Sequence, residues 1–154
     1  MVETYAQMKE RHQQEFNKFP MMFAFSDKQF KEGCARLGVT DPKAELYRAP
    51  GGGFYRKSDA PRLHELTDRH AREMSEAMKV EEFAVGAYCY EAANHEYQIN
   101  MDPEFDMALC FGLPYDRRED RIMWEKVPDG ETQAGYYIKG VQKHLKWCRE
   151  HNAY

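Results

Sequence analysis

Apolar side chains recur along much of the chain at spacings of three and four, the signature of helices buried on one face. Tyr5, Met8, His12, Phe16 and Phe19 mark the first such stripe, which Pro20 closes. Thr4 and Gln7 stand at its start as a capping box, in which each side chain satisfies a free backbone N–H. The short apolar run at 21–25 predicts a buried strand. Ser26 and Gln29 repeat the capping pattern, and Phe30, Cys34 and Leu37 form a second stripe that stops at Gly38. Two β-prone runs, 45–48 and 54–57, flank Ala49-Pro-Gly-Gly-Gly53 and predict a hairpin. Ser58, Asp59 and Pro61 then open a third helix with the stripe Leu63, Leu66, His70, Met74 and Ala77/Met78, running to about Lys79.

The fourth helix, about Glu82 to Gln98, has a different pattern. From Phe83 to Ala93 it is apolar or aromatic on every side except at Glu91. A helix apolar all round is buried all round, so it is placed at the centre of the fold. A short helix follows Asp102-Pro103 and ends near Gly112. Residues 115–127 are charged and ambiguous, with a helix as one reading. A last helix, about Thr132 to Glu150, carries Ala134, Ile138, Val141, Leu145 and Cys148. The expected fold is α+β and mainly helical: one compact domain over 1–154, with a buried central helix and a small hairpin or sheet.

Composition narrows the function classes. The 154 residues are 14% aromatic, which argues against disorder, and the net charge is −4. A binder that relies on bulk positive charge is disfavoured, so nucleic acid is the less favoured partner. The charge is uneven. Residues 1–60 carry ten Lys and Arg against eight Asp and Glu, and residues 61–154 carry twelve against eighteen. No apolar run approaches the roughly 18 residues that a membrane span needs, and the charged N-terminus lacks a secretory h-region. Cys34, Cys89, Cys110 and Cys148 are widely spaced and read as free thiols.

Two segments carry candidate chemistry. On the fourth helix, Glu91 and His95 are four apart and share a face, and Asn94 borders it. Polar groups on a buried helix need partners, so Glu91, Asn94 and His95 are either an acid/base or metal site or a network that satisfies itself. His64 and Asp68 form another i,i+4 pair. Antiparallel packing of the third and fourth helices would give a metal constellation of His64, Asp68, Glu91 and His95. His12 and His70 read as hydrogen-bonded core histidines. The second segment is Gly51, Gly52, Gly53, Phe54, Tyr55, Arg56 and Lys57. It can serve as a turn, as an anion-binding nest, or as a tip that displays aromatic and basic side chains to a partner. It lacks the spacing of a P-loop, and the chain has no nucleophile-elbow motif or kinase motif set.

Four stretches carry a resemblance: 8–16 (MKERHQQEF), 23–30 (FAFSDKQF), 51–57 (GGGFYRK) and 90–97 (YEAANHEY). In that order they resemble a family of small uncharacterised proteins from prophages and mobile elements of gut Firmicutes. The resemblance brings no activity with it. It implies a bacterial or phage protein in the cytoplasm of its host. The favoured reading is a non-enzymatic accessory protein, without cofactor, that binds and inhibits a host or phage protein through residues 51–57 and the acidic C-terminal half, such as an anti-CRISPR inhibitor. The alternatives are a small metal-dependent or acid/base enzyme centred on Glu91, Asn94 and His95, and a nucleotide or anion binder at the Gly-rich turn.

Overall fold

The computed structural model describes residues 2–97 and 103–153. The chain groups into two compact units, residues 10–73 and residues 74–154 with the first nine. Seven α-helices and two antiparallel strand pairs are present among the described residues, so the fold is α+β and mainly helical, as expected. Helices α1 (Tyr5–Asn17) and α4 (Ala60–Ala77) contribute residues to both units.

In the unit of residues 10–73, local sequence signals account for the element boundaries. Ser26 Oγ accepts from the Gln29 N–H at 3.2 Å, and Gln29 Oε1 accepts from the Phe25 N–H at 2.8 Å, which starts α2 (Asp27–Leu37). Gly38 ends it in the left-handed region at φ 70°. A short helix, α3 (Pro42–Glu45), was not expected; Glu45 folds back to accept from the Thr40 and Asp41 N–H groups. Strands β1 (Leu46–Arg48) and β2 (Phe54–Arg56) form the predicted hairpin, with Tyr47 opposite Tyr55. The core is Met22, Cys34, Leu37, Val39 and Leu46, packed against Phe30 and Phe54.

The expected strand at 21–25 is corrected. Only Met22 pairs, exchanging both backbone hydrogen bonds with Phe54 at 2.9 and 2.8 Å. The chain must then bend so that Ser26 can cap α2, and the ladder stops after one rung. Phe23 and Phe25 are left 56% and 91% exposed.

In the other unit, α5 (Glu81–Asn94) buries Phe83, Ala84, Ala87, Tyr88, Glu91 and Ala92. The expectation of burial on every side is corrected at Tyr90, which is exposed. Helix α7 (Gly130–Glu150) packs on α5 at Gly140. A Cβ there would stand 2.6 Å from Tyr88 Cβ and 2.8 Å from the Val85 carbonyl oxygen. That close approach sets the buried face to Tyr137, Gly140, Val141, His144 and Cys148. Ile138, assigned to the stripe by hydropathy, is exposed. A glycine contributes nothing to an apolar count, so hydropathy alone places the stripe slightly rotated from the buried face.

The helical reading of 115–127 is also corrected. Asp116 Oδ1 accepts from the Arg118 and Glu119 N–H groups, a side-chain turn that joins β3 (Tyr115–Asp116) to β4 (Arg121–Ile122). A single 3₁₀ turn, Trp124–Lys126, follows. The short helix α6 (Pro103–Phe111) is present, whereas the expected boundaries at Gln98 and Asp102 lie outside the described residues. No helix among the described residues is long and apolar enough to cross a membrane.

Candidate functional site

Helix α5 carries a carboxylate into its buried face. Glu91 is 1% exposed, and both of its oxygens are engaged. Oε1 accepts from the Tyr5 hydroxyl at 2.6 Å and from Lys9 Nζ at 2.8 Å, both one α1 turn apart. Oε2 accepts from Asn94 Nδ2 at 3.2 Å. His95 Nε2 lies 3.5 Å from the same oxygen, and the Cys110 thiol of α6 lies 3.7 Å from it. His95 Nε2 and Cys110 Sγ are 3.3 Å apart. Asp106, one turn before Cys110, places Oδ2 3.7 Å from His95 Nδ1.

The electrostatics follow from these partners. Burial pushes the Glu91 carboxyl upward, but hydrogen bonds from Lys9, Tyr5 and Asn94, with the Lys9 charge, leave it below the ordinary value. Burial, then the Glu91 hydrogen bond and charge, raise the Tyr5 hydroxyl far above its usual range. Burial and the charge of Glu91 push the Cys110 thiol up to about 11. The site at neutral pH is therefore an ionised Glu91 facing a protonated thiol.

The structure joins Glu91, Asn94 and His95, as their spacing implies, and adds Cys110, which the sequence reading treated as an ordinary free thiol. His64 and Asp68 are exposed on α4 in the unit of residues 10–73. The group of potential metal ligands among the described residues is Glu91, His95 and Cys110. His12 and His70 stack at 3.8 Å between ring centroids. Each meets a carboxylate: His12 Nε2 is 2.8 Å from Glu73 and His70 Nε2 is 2.7 Å from Glu15.

The hairpin residues are placed in two ways. Gly51 and Gly52 form the turn at φ 93° and 96°. Gly53 is buried against the Met21 and Phe23 side chains. Phe54 packs edge-on against Phe30, and Tyr55 edge-on against Phe19. Arg56 donates to Asp59 at 2.6 Å and to the Leu37 carbonyl at 3.2 Å. Lys57 is exposed, its ammonium 5.0 Å from the Tyr47 ring centroid. Phe54, Tyr55 and Arg56 thus brace the hairpin. Phe23 and Phe25 just before α2, assigned in the sequence to a buried strand, are exposed.

A family of unknown function, DUF7659, matches residues 4–124. The chain belongs to this family. No curated protein and no solved structure matches it. The DUF7659 region includes the 23–25 loop, the hairpin, and the Glu91, His95 and Cys110 group, while α7 lies beyond its end. Tyr5, Lys9, Asp106 and Cys110 were absent from the site read in the sequence. Their distance along the chain from Glu91 leaves no spacing signal. Only the apolar stripe of α1, which includes Tyr5, points toward a partner element.

Proposed function

We propose that this DUF7659 protein is a non-enzymatic binding protein that docks an acidic protein surface through Phe23, Phe25 and the adjoining hairpin turn. The carrying observation is two aromatic rings, 56% and 91% exposed, on a segment pinned at both ends. Met22 is paired with Phe54 on one side, and the Phe25 N–H is fixed by Gln29 on the other. Arg36 also donates to the Met21 carbonyl at 3.3 Å. Exposed apolar rings on a pinned backbone are costly in water but lose little further entropy on binding. Phe23 rests against Gly53, which joins this loop to the glycine turn. Residues 21–57 carry seven Lys and Arg against four Asp and Glu, which favours an acidic partner.

In this reading the protein is an accessory factor of a mobile element that occupies a protein of its bacterial host, and inhibition, including a counter-defence form, follows from that occupancy. The anion-binding alternative draws less support. The Gly52 N–H donates to the Ala49 carbonyl, and Arg56 is engaged by Asp59 and Leu37. The acid/base alternative is weakened by the burial and full hydrogen bonding of Glu91.

The test is affinity capture from a Firmicutes host lysate. The wild type is compared with a Phe23→Ala/Phe25→Ala variant and with Trp147→Ala, an exposed aromatic on α7. The wild type and Trp147→Ala should retain the same stoichiometric acidic protein, and the double variant should lose it. Identical capture by all three proteins, or none by any, would overturn the proposal.

A further inference from the structure

We propose that Glu91, His95 and Cys110 bind a divalent ion of the zinc class. Their donor atoms, Oε2, Nε2 and Sγ, form a triangle with sides of 3.5, 3.3 and 3.7 Å. Tetrahedral zinc with bonds of about 2.0 Å to oxygen and nitrogen and 2.3 Å to sulfur separates its ligands by roughly 3.3–3.5 Å, and each side of the triangle lies within about 0.2 Å of that geometry. The triangle therefore has the dimensions of one face of that tetrahedron, with its fourth corner left for water or another ligand.

The surroundings support the same reading independently of the triangle. Tyr5 and Lys9 fix the Glu91 carboxylate through its other oxygen, and Oε2, which accepts from Asn94 Nδ2 at 3.2 Å, keeps a second lone pair for an ion. Asp106 stands 3.7 Å from the second nitrogen of His95, where a carboxylate commonly orients a metal-bound imidazole. Glu91 lies in the last turn of α5, His95 is the residue that caps it, and Cys110 comes from α6. One nitrogen, one sulfur and one oxygen donor suit a borderline-soft ion and exclude magnesium and calcium, which take oxygen ligands. Binding forms a bond from the ion to the Cys110 sulfur and releases the thiol proton to solvent. Glu91 binds as a carboxylate and His95 through the lone pair of its Nε2. Cys110 is exposed, so an ion has a path from solvent.

Cobalt(II) added to metal-free protein tests the assignment, because a thiolate bound to cobalt gives a near-ultraviolet charge-transfer band. The expected result is that band saturating at one equivalent. It should be lost in Cys110→Ser and His95→Gln, and retained in Cys89→Ser. Asp106→Asn should weaken binding by about 10-fold or more while keeping the band. Circular dichroism verifies that each variant is folded, and Cys110→Ser replaces an exposed group. No band in the wild type, or a band that survives Cys110→Ser, would overturn the site.

Discussion

Tyr5→Phe removes one oxygen atom from the environment of Glu91 and nothing else of comparable size. The Tyr5 ring is 6% exposed and packs against Phe83, Tyr90 and Phe111, contacts that phenylalanine keeps. What disappears is the hydroxyl donating to Glu91 Oε1 at 2.6 Å. A hydrogen bond to a charged group contributes about 1.5–3 kcal/mol net, and no cavity adds to it here. Lys9 and Asn94 still hold the carboxylate, so the lower half of that range is expected, about 1.5–2 kcal/mol at neutral pH. The pH dependence has a defined sign. Glu91 is held below its ordinary value of 4.5, and losing the hydroxyl raises it. The penalty of Tyr5→Phe is thus complete above that value and shrinks as pH falls below it and the carboxyl is protonated. Urea unfolding at about pH 7 and pH 3.5, with Glu91→Gln and the double variant, measures both the penalty and the coupling between the two residues. A penalty below about 0.5 kcal/mol, or no coupling with Glu91→Gln, would refute the reasoning, since a bond to a charged group contributes more than that.

Two glycines on packed helices should respond in opposite ways. Gly140→Ala forces a Cβ against the backbone of α5 and should cost at least about 1–3 kcal/mol in urea unfolding. Gly86→Ala meets nothing within 4 Å on the same helix pair and should gain roughly 0.5–1 kcal/mol. In the unit of residues 10–73, Arg69 and then His70 hold Glu15 at about 2, and His12 and then Arg11 hold Glu73 at about 2, against 4.5 ordinarily. Lowered carboxyl values stabilise fully above the ordinary value and lose that contribution as pH falls toward 2. The melting temperature of the wild type should therefore drop more steeply over this window than that of Glu15→Gln/Glu73→Gln; parallel curves would contradict the assignment. Phe25→Ala should change unfolding stability by less than about 0.5 kcal/mol, because the ring is 91% exposed.

The legible parts of the fold were those written in local chemistry. Thr4 with Gln7 and Ser26 with Gln29 close capping hydrogen bonds at the expected positions, and Gly38 terminates α2 in the left-handed region. The hairpin followed from β-prone runs around a glycine turn. The misread parts depended on contacts between distant segments. Residues 21–25 look like a strand in isolation, but the demand of Ser26 for a cap position cuts the ladder to Met22 and turns Phe25 outward. The buried face of α7 is set by Gly140, which carries no hydropathy signal. Glu91 was recognisable as a charged residue on an otherwise apolar helix. Its partners Tyr5, Lys9 and Cys110 lie far from it along the chain and became visible only in three dimensions.

The proposed binding role rests on the exposed ring at position 25, and site-specific photo-crosslinking from that position addresses it directly. A benzophenone side chain replacing Phe25, introduced in the proposed bacterial host, should give one discrete adduct with an acidic protein on irradiation. The same group in place of Trp147 should not give that adduct. The absence of any adduct from position 25, or an adduct only to a second copy of the chain, would contradict the account.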